Sequence, residues 1–303
     1  MSRTESLLRY PGGKTKLYHF INNLLDINNI NGTYIEPFAG GAGIAIKLLL
    51  ENKVDNIWIN DYDKSIYSIW YATLNHPNKL ISLINDVPFD VNGSNNSDAE
   101  NIEYWKLMKK IHKKEKNYQN SIMNAFSTLM LNRMNVSGII NGGPIGGISQ
   151  TNNKLYVRFN KNTLINKIIK INQHKNNIKL TRMNALKMIP TIDEKNSFVF
   201  FDPPYFHQGK NLYMSFFSKT DHYNLSKIIT QSSNDLNWIV TYDNSEEIKH
   251  FYGALKNRFY YNLNYSANNK NRGPATEILF SSNKLKIKSF DKTQLIEMND
   301  KNH

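Results

Sequence analysis

One alternation of strand, glycine-rich loop, helix and strand constrains the fold of this chain more than any other feature. The pattern predicts a strand at Thr33–Pro37, the loop FAGGAG, a helix at Gly43–Glu51 and a second strand at Asn56–Asn60. Two strands joined through a helix form a β-α-β unit, which belongs to a parallel sheet with helices packed against it. The sequence therefore predicts the α/β class.

The same alternation returns in the last part of the chain. It predicts strands and helices at Ile178–Arg182, Ala185–Ile189, Phe198–Phe201, His222–Gln231 and Trp238–Tyr242, followed by strands at Arg258–Tyr265 and Ala275–Phe280. We expect the last two strands to close the sheet as an antiparallel pair. Residues 1–74 and 177–290 are thus predicted to form two halves of one catalytic domain, with residues 291–303 as a tail.

The region between these halves, residues 75–176, differs in character. Helical spacing at Glu103–Lys114, Ser121–Asn132 and Thr163–Gln173 flanks a loop rich in Gly and Asn at Val136–Asn153. We therefore predict a mainly helical domain inserted into the sheet domain.

Positive charge is concentrated in the middle of the chain. Residues from Tyr104 to Thr191 contain 16 Lys and Arg against a single acid, Glu115, whereas the whole chain of 303 residues has a formal charge of +13. The rest of the chain is therefore slightly negative. A confined basic block is typical of a nucleic-acid interface, although a solvated surface is the ordinary alternative.

Composition disfavours several classes of protein. The absence of Cys removes disulfides, thiolate metal sites and a cysteine nucleophile. The eight His show no metal-ligand spacing, and there is no G-x-S-x-G nucleophile motif. The first residues do not resemble a signal peptide and no apolar run reaches 18 residues, so we expect a soluble, cytoplasmic protein with no membrane partner.

The glycine-rich loop and the acid after the next strand suggest a ribose-bearing cofactor. Glycines let the backbone approach a ligand closely, and the start of the following helix offers free N–H groups. Asp61 follows the second strand, where an acid can accept hydrogen bonds from both hydroxyls of a ribose. A tight turn with an unrelated acid is the alternative. The loop departs from G-x-G-x-x-G, which disfavours an NAD-linked oxidoreductase.

The segment Asp202-Pro203-Pro204-Tyr205 directly follows the apolar strand FVFF. Ligands of α/β sheets bind at the carboxyl ends of strands, and two consecutive prolines stiffen the turn. A carboxylate, a prolyl carbonyl and an aromatic ring then point together, which suits a planar base with an exocyclic amino group. An ordinary proline-rich turn with a packed Tyr is the structural alternative.

Three motifs in this order resemble the Dam-type (D12 class) DNA adenine-N6 methyltransferases: RYPGGK at residues 9–14, FAGGAG at 38–43 and DPPY at 202–205. The resemblance covers residues 8–74 and 180–281 and is weaker between them. It implies a Rossmann-like S-adenosylmethionine-dependent methyltransferase sheet with a basic DNA-recognition insertion. It also implies S-adenosylmethionine as methyl donor, S-adenosylhomocysteine as product, no metal, and an adenine flipped out of double-stranded DNA as acceptor.

The resemblance assigns cofactor-binding roles to Tyr10, Lys14, Phe38, Gly40, Asp61, Asn184 and Asp202. Tyr10 and Lys14 would lie against the methionine end of the cofactor, with Lys14 near its carboxylate. Asp61 would hold the ribose. Asn184 stands where many relatives have an acid that accepts a hydrogen bond from the amino group of the cofactor's adenine.

The same resemblance assigns the catalytic role to the turn formed by Asp202, Pro203, Pro204 and Tyr205. Asp202 and the carbonyl of Pro203 would each accept a hydrogen bond from an N–H of the target N6 amino group. Tyr205 would stack on the flipped base. In-line attack of N6 on the sulfonium methyl group would follow, with no covalent enzyme intermediate.

The basic middle region is the predicted reader of DNA sequence, through Arg133, Asn135, Arg158 and Lys161. The two arginines could pair with guanine edges, and Asn135 or Asn160 with adenine. Each could instead touch only phosphate, which positions the DNA without reading its sequence. A run of lysines is predicted to face phosphate or solvent: Lys109, Lys110, Lys113, Lys114 and Lys116.

The segment His207–Lys219, just after the DPPY turn, carries aromatic residues in polar surroundings. We predict a mobile loop near the target base, with a plain surface loop as the alternative.

The resulting hypothesis is a monomeric, site-specific DNA adenine methyltransferase of a bacterial or phage-infected cell. The resemblance implies a role in restriction–modification or phage self-protection, with any cognate restriction endonuclease acting separately. The same chemistry on RNA is one alternative. A catalytically silent DNA-binding relative is another, and the intact Asp61, Asp202 and Tyr205 disfavour it.

Overall fold

The computed structural model describes residues 4–9, 14–193, 196–206, 217–232, 236–263 and 275–298. Within these ranges the strands are β1 (Thr33–Glu36), β2 (Asn56–Asn60), β3 (Phe89–Asp90), β4 (Gly93–Ser94), β5 (Ile178–Thr181), β6 (Phe198–Phe201), β7 (Asn237–Asp243), β8 (Arg258–Leu263), β9 (Ala275–Ser281) and β10 (Leu295–Glu297). The α-helices there are α1 (Tyr18–Ile27), α2 (Gly43–Leu50), α3 (Lys64–Asn75), α4 (Pro77–Asn85), α5 (Asp98–Glu115), α6 (Ile122–Met134), α7 (Lys161–Gln173), α8 (Ala185–Met188), α9 (Lys219–Ser232) and α10 (Glu246–Phe251).

These elements fall into two compact units, each built from separate stretches of the chain. The first, which we call the helical unit, comprises Met1–Gly13, Gly40–Leu50 and Asp61–Arg182. The second, which we call the sheet unit, comprises Lys14–Ala39, Glu51–Asn60 and Met183–His303. The predicted boundaries of an inserted domain stay a prediction.

Seven strands of the sheet unit are hydrogen-bonded neighbours in the order β10-β8-β9-β7-β6-β1-β2. β1 pairs in parallel with β2 and with β6, and β6 pairs in parallel with β7. β9 runs antiparallel to both β7 and β8, which confirms the predicted antiparallel pair of late strands. The edge strand β10, antiparallel to β8, was not predicted from the sequence.

The order of the parallel strands reverses between β1 and β6. In open α/β sheets, ligands bind outside the carboxyl ends of the strands at such a switch point. β1 ends at Glu36, just before Phe38 of the glycine-rich loop, and β6 ends at Phe201, just before Asp202. The topology therefore brings the first residues of two predicted motifs to the same edge of the sheet.

Continuous apolar runs form the centre of this sheet. All four residues of β6 are buried, as expected for a parallel strand that is covered on both faces. Val199 and Phe201 of this strand belong to a core that also contains Leu225 and Ile229 of α9. Burial of this apolar surface stabilises the strand at whose end Asp202 stands.

The helical unit is organised around α6, in which most residues are buried. This helix packs against α3 and α5. Side chains cap the helix starts: Ser121 accepts from the N–H of Asn124 in α6, and Ser97 forms a capping box with Glu100 in α5. The predicted helices of this region are confirmed as α5, α6 and α7. Helix α4 and the hairpin of β3 and β4 were not predicted.

Candidate active site

The turn after β6 lies at the carboxyl edge of the sheet. Pro203, Pro204 and Tyr205 are buried, whereas the Asp202 side chain is 21% exposed. The carboxylate can therefore be reached from solvent while the rest of the turn is packed into the protein.

Two side chains at the end of the neighbouring strand β7 hold this turn, and sequence reasoning missed both. Thr241 Oγ1 donates a hydrogen bond to Asp202 Oδ1 at 3.1 Å. Asp243 Oδ1 accepts a hydrogen bond from the backbone N–H of Phe206 at 2.9 Å. Because β6 and β7 are paired, both ends of the turn are fixed relative to the sheet.

Lys14 brings a buried cation to the same turn. Its Nζ lies 3.0 Å from Asp202 Oδ1 and 4.5 Å from the centre of the Tyr205 ring. It also donates a hydrogen bond to the Tyr205 hydroxyl at 2.5 Å. The structure thus brings three of the predicted site residues into direct contact, although they are far apart in sequence.

A second carboxylate, Glu277, completes this network. Glu277 is 2% exposed and lies on β9. Its Oε1 accepts a hydrogen bond from the Tyr205 hydroxyl at 2.6 Å, and its Oε2 accepts one from the Tyr261 hydroxyl at 2.6 Å. Lys14 Nζ lies 3.7 Å from Oε2. Sequence reasoning missed Glu277, and the available signal was a single acid in the strand sequence ATEILFS.

One cation and two carboxylates therefore share this buried space. Burial raises the pKa of the Asp202 carboxyl, the Lys14 ammonium opposes that rise, and repulsion from Glu277 adds to it. A buried charge without a partner is costly, so Lys14 is the group that makes ionised acids tolerable here. With all three groups ionised, the trio keeps one unit of excess negative charge.

An aromatic cluster in the sheet unit lies beside the turn. The His222 ring centre is 5.3 Å from that of Phe206 and 4.9 Å from that of Phe217. Phe217 also contacts Phe38 of the glycine-rich loop, with ring centres 5.8 Å apart. His222 Nδ1 lies 3.1 Å from the Tyr242 hydroxyl, and burial lowers the pKa of His222 to about 4. His222 is thus an uncharged member of this cluster near neutral pH.

In the helical unit, the glycine-rich loop and Asp61 come together. The N–H of Gly40 donates to Asp61 Oδ2 at 2.8 Å, and the N–H of Asp63 donates to Oδ1 at 2.9 Å. Gly40 has a φ of 47°, a left-handed conformation that glycine adopts without strain. Burial raises the pKa of Asp61 to about 7, with repulsion from Asp63 adding to the rise and the two backbone hydrogen bonds opposing it.

Two other residues predicted to bind the cofactor are Asn184 and Tyr10. Asn184 is exposed and caps the start of α8, where its Oδ1 accepts a hydrogen bond from the N–H of Leu186 at 2.9 Å. That oxygen has a second lone pair, so the cap leaves room for one further donor. Tyr10 and residues 207–216 of the predicted loop lie outside the described residues.

Asn135, a predicted DNA contact, is fully buried in the helical unit. Its amide group donates to the backbone carbonyls of Ile139 and Ile140 at 2.8 and 2.9 Å. Its Oδ1 accepts a hydrogen bond from Trp105 Nε1 at 2.8 Å. In this arrangement Asn135 has no amide hydrogen to offer to a base, and it closes the end of α6 instead.

Arg133 is also engaged inside the helical unit. Its guanidinium donates a hydrogen bond to the backbone carbonyl of Leu7. Burial lowers the pKa of Arg133 to about 10, and repulsion from Arg9 contributes. Arg133 therefore ties the N-terminal segment to α6 in the described structure.

The remaining two predicted DNA contacts differ from each other. Lys161 Nζ donates to the backbone carbonyls of Asn85 and Val87 at 2.8 and 2.5 Å, which ties α7 to the end of α4. Arg158, in contrast, is exposed. Of the two, Arg158 is the side chain directed to solvent.

The lysine run lies on the surface of the helical unit. All five members are exposed: Lys109, Lys110, Lys113, Lys114 and Lys116. Four of them occur at spacings of one, three and four residues within α5, which places them on neighbouring positions of one side of the helix. We call these five residues the lysine face.

Within the described ranges, no group of three or more His, Asp or Glu side chains is arranged to hold a metal ion. Nor does any helix in those ranges have both the length and the apolar character that a membrane span requires.

The fold and the turn together define a class of protein. A sheet with its switch point between β1 and β6, a glycine-rich loop after β1 and a DPPY turn after β6 are the features of a Rossmann-like S-adenosylmethionine-dependent methyltransferase. The sequence profile of the D12 class of N6 adenine-specific DNA methyltransferases matches residues 10–262. This chain therefore belongs to the D12 class, which confirms the resemblance, and it is an adenine-specific DNA methyltransferase. Membership implies S-adenosylmethionine as methyl donor and DNA as substrate.

Individual proteins that resemble this chain share little sequence identity with it. A type II methyltransferase of Methanocaldococcus jannaschii, M.MjaIII, is 22% identical over 222 residues, which are 71% of this chain and 73% of that protein. Among solved structures, an rRNA methyltransferase, aviRa of Streptomyces viridochromogenes, has 12% identity and a TM-score of 0.37 over 90% of this chain and 86% of that chain. A conserved hypothetical protein of Streptococcus pyogenes has 11% identity and a TM-score of 0.32 over 86% of this chain and 94% of that chain.

Proposed function

We propose that this protein methylates N6 of an adenine flipped out of double-stranded DNA, within one short recognition sequence. The setting we propose is restriction–modification or phage self-protection. The observation that carries the proposal is the contact of Lys14 with Asp202 and Tyr205 at the carboxyl end of β6. A hydrogen-bond acceptor beside an aromatic ring suits an adenine with its exocyclic amino group.

The surroundings of Asp61 fit the ribose of S-adenosylmethionine. Each carboxylate oxygen has one backbone N–H partner and keeps a lone pair for a ribose hydroxyl. In the same unit, Gly40 would bring backbone close to the cofactor. The family resemblance also assigns Phe38 and Asn184 to the cofactor. When bound, S-adenosylmethionine supplies a methyl group attached to a positively charged sulfur.

The DPPY turn would position the target nitrogen. The N6 lone pair of adenine is delocalised into the ring, so the amino group is a poor nucleophile. Asp202 and the Pro203 carbonyl would accept hydrogen bonds from the two N–H groups of N6 and favour a pyramidal nitrogen. Tyr205 would stack on the base. The N–CH₃ bond would form as the S–CH₃ bond breaks, S-adenosylhomocysteine would leave, and N6 would then release one proton to water.

Charge explains why a carboxylate suits this place. Positive charge moves from the sulfur to N6 during the transfer, so an acceptor at N6 binds the transition state better than the ground state. A hydrogen bond to a charged group contributes roughly 1.5–3 kcal/mol. Alignment of the two reactants lowers the activation barrier by more, since holding reacting groups in the right orientation can lower it by up to about 7–11 kcal/mol.

The lysine face and Arg158 are the surface cations that we propose to contact DNA phosphates. They are exposed, whereas Arg133, Asn135 and Lys161 are held by the protein's own groups. Phosphate contacts supply affinity and orientation without reading sequence.

The test is incubation of unmethylated plasmid with purified protein and S-adenosylmethionine, followed by single-molecule sequencing for modified bases. The matched control is Asp202→Ala, in which Lys14 keeps Glu277 as a counter-ion. We expect N6-methyladenine in one short motif with the wild type and none with the variant.

Two other results would overturn the proposal in different ways. Binding of S-adenosylmethionine without methylation of DNA, together with methylation of RNA transcripts, would move the substrate to RNA. Methylation that persists in Asp202→Ala would remove the catalytic assignment of the turn.

A further inference from the structure

The buried carboxylate of Glu277 takes no part in the reaction as proposed above, yet it contacts Tyr205, which does, and Lys14, which is paired with Asp202. We propose that Glu277 is a positioning residue of the methyltransferase site: it fixes the Tyr205 hydroxyl and shares the Lys14 ammonium, so that Asp202 keeps excess negative charge. This inference rests on the proposed function and deepens it.

Glu277 is held rigidly by the sheet. Its strand, β9, lies between β7 and β8, with Glu277 opposite Asp243 on one side and opposite Tyr261 on the other. The Tyr261 hydroxyl occupies one of its carboxylate oxygens at 2.6 Å. A side chain fixed from a central strand is a better reference point for a site than one on a loop.

The first consequence concerns the ring of Tyr205. Its hydroxyl donates to Glu277 and accepts from Lys14, so the far end of the ring is anchored at two points. A ring anchored in this way loses little freedom when a base stacks on it. Glu277 thus prepares the surface that we propose for the flipped adenine.

The second consequence concerns the charge of Asp202. Lys14 Nζ lies 3.0 Å from Asp202 and 3.7 Å from Glu277, so its positive charge is divided between two acids. Without Glu277, Lys14 would neutralise Asp202 alone. Asp202 would then be a weaker acceptor for N6 and for the positive charge that arrives there during the transfer.

Other ionisable groups near Asp202 do not compete with this effect. Tyr34 of β1 and Tyr242 of β7 face Asp202, and burial raises the pKa of each well above its usual value, so both stay neutral. Thr241 is uncharged. Among the described groups, Lys14 and Glu277 are the charges that act on Asp202.

The test is Glu277→Gln, which keeps the size of the side chain and removes its charge. We expect kcat to fall about 10- to 100-fold, as for a small misplacement of reactants. We expect KM for S-adenosylmethionine and for DNA to change less than about threefold, because Glu277 meets neither. Removing a like charge lowers the pKa of Asp202, so the acid limb of the kcat–pH profile moves to lower pH.

Two further variants separate this role from a purely structural one. Glu297→Gln removes an exposed carboxylate from β10 and should leave both the rate and the acid limb unchanged. Tyr261→Phe removes one hydrogen bond of Glu277 but keeps its charge, so it should lower kcat slightly without moving the limb to lower pH.

Titration of aspartate carboxyl signals by ¹³C NMR, assigned through Asp202→Asn, measures the same pKa without turnover. A wild type with no methyltransferase activity would refute the proposed function, while the NMR titration would still test Glu277. Our inference is overturned if Asp202 titrates identically in the wild type and in Glu277→Gln, or if Glu277→Gln has the kcat of the wild type.

Discussion

The turn after β6 and the predicted DNA-contacting segment use their polar residues in opposite ways. At the turn, Lys14, Asp202 and Tyr205 meet one another, and the Asp202 carboxylate remains accessible. In the helical unit, Arg133 and Asn135 bond to backbone groups of their own unit. The lysine face and Arg158 are exposed in that unit.

The difference has a physical basis. A turn at the carboxyl end of a buried strand is aimed by the sheet, and its side chains point where ligands bind. A loop after a helix must instead satisfy the free carbonyls of the helix end and of the loop itself. Asn135 does this for Ile139 and Ile140. A polar side chain in such a place forms hydrogen bonds to backbone groups of the fold.

The largest expected effect tests the turn. Asp202→Asn removes the charge and replaces one acceptor by a donor, so we expect kcat to fall by at least about 10³-fold. The fold should persist, because Lys14 keeps Glu277 as its partner. Steady-state methylation rates, with Asp193→Asn as an exposed control from the same unit, provide the measurement. A loss smaller than tenfold would contradict the catalytic role.

The next prediction tests the helical unit. Asn135→Ala removes the hydrogen-bond partner of the Trp105 N–H and of the Ile140 carbonyl, whereas the Ile139 carbonyl keeps the N–H of Gly142. We therefore expect the free energy of unfolding to fall by about 3 kcal/mol. Urea unfolding measures this directly. Asn152→Ala, an exposed site in the same loop, should change stability by less than about 0.5 kcal/mol. A stable Asn135→Ala protein with an altered recognition sequence would reverse our comparison of the two regions.

The lysine face gives a smaller effect that depends on salt. Replacing its five lysines by Gln should weaken DNA binding on the order of 100-fold. It should also reduce the slope of log K against log salt by about 0.9 for each phosphate that the variant no longer neutralises. Fluorescence anisotropy over a salt series provides the measurement. The control replaces five exposed lysines elsewhere by Gln: Lys53, Lys227, Lys256, Lys288 and Lys292. Equal effects of the two sets would make the lysine face an ordinary solvated surface.

The smallest effect is the pH dependence of cofactor binding. Because the pKa of Asp61 is raised to about 7, the acid is protonated below that pH and loses its capacity to accept from two hydroxyls. We expect the Kd for S-adenosylmethionine to rise up to about tenfold per pH unit below 7, as one proton is taken up. Calorimetric titrations between pH 5.5 and 8 should show this in the wild type and a flat, weaker response in Asp61→Asn.

The raised pKa of Asp61 also makes the stability of the folded protein depend on pH. The folded pKa of Asp61 lies above its ordinary value, so its contribution to stability is greatest at low pH and is lost as the pH rises through about 7. Ligand-free Asp61→Asn should therefore lose less stability between pH 5 and 8 than the wild type. The opposite order would show that the carboxylate is better solvated than its burial implies.

Much of the sheet followed from the sequence. The run FVFF predicted β6 at its observed bounds, because a strand covered on both faces needs a continuous apolar run. NIWIN predicted β2 in the same way. Helix α4 and strand β10 escaped prediction, since α4 starts at Pro77 between short polar stretches and β10 has three residues at an edge.

The site was only partly predictable. Asp202 and Tyr205 share one turn, and the turn is readable because its shape depends on neighbouring residues in the chain. Thr241 and Glu277 stand 39 and 72 residues from the groups they bind, Asp202 and Tyr205. No local pattern records such partners.

By itself the sequence determined the class of fold, the order of the motifs and, through them, the family and its reaction, because strand periodicity and turn chemistry are local properties. The tertiary structure decided which further residues meet at the turn and which predicted DNA contacts stay inside the protein. It decided these matters because a side chain's partner depends on strand register and on which backbone groups the fold leaves to be satisfied, and both are set by contacts distant along the chain.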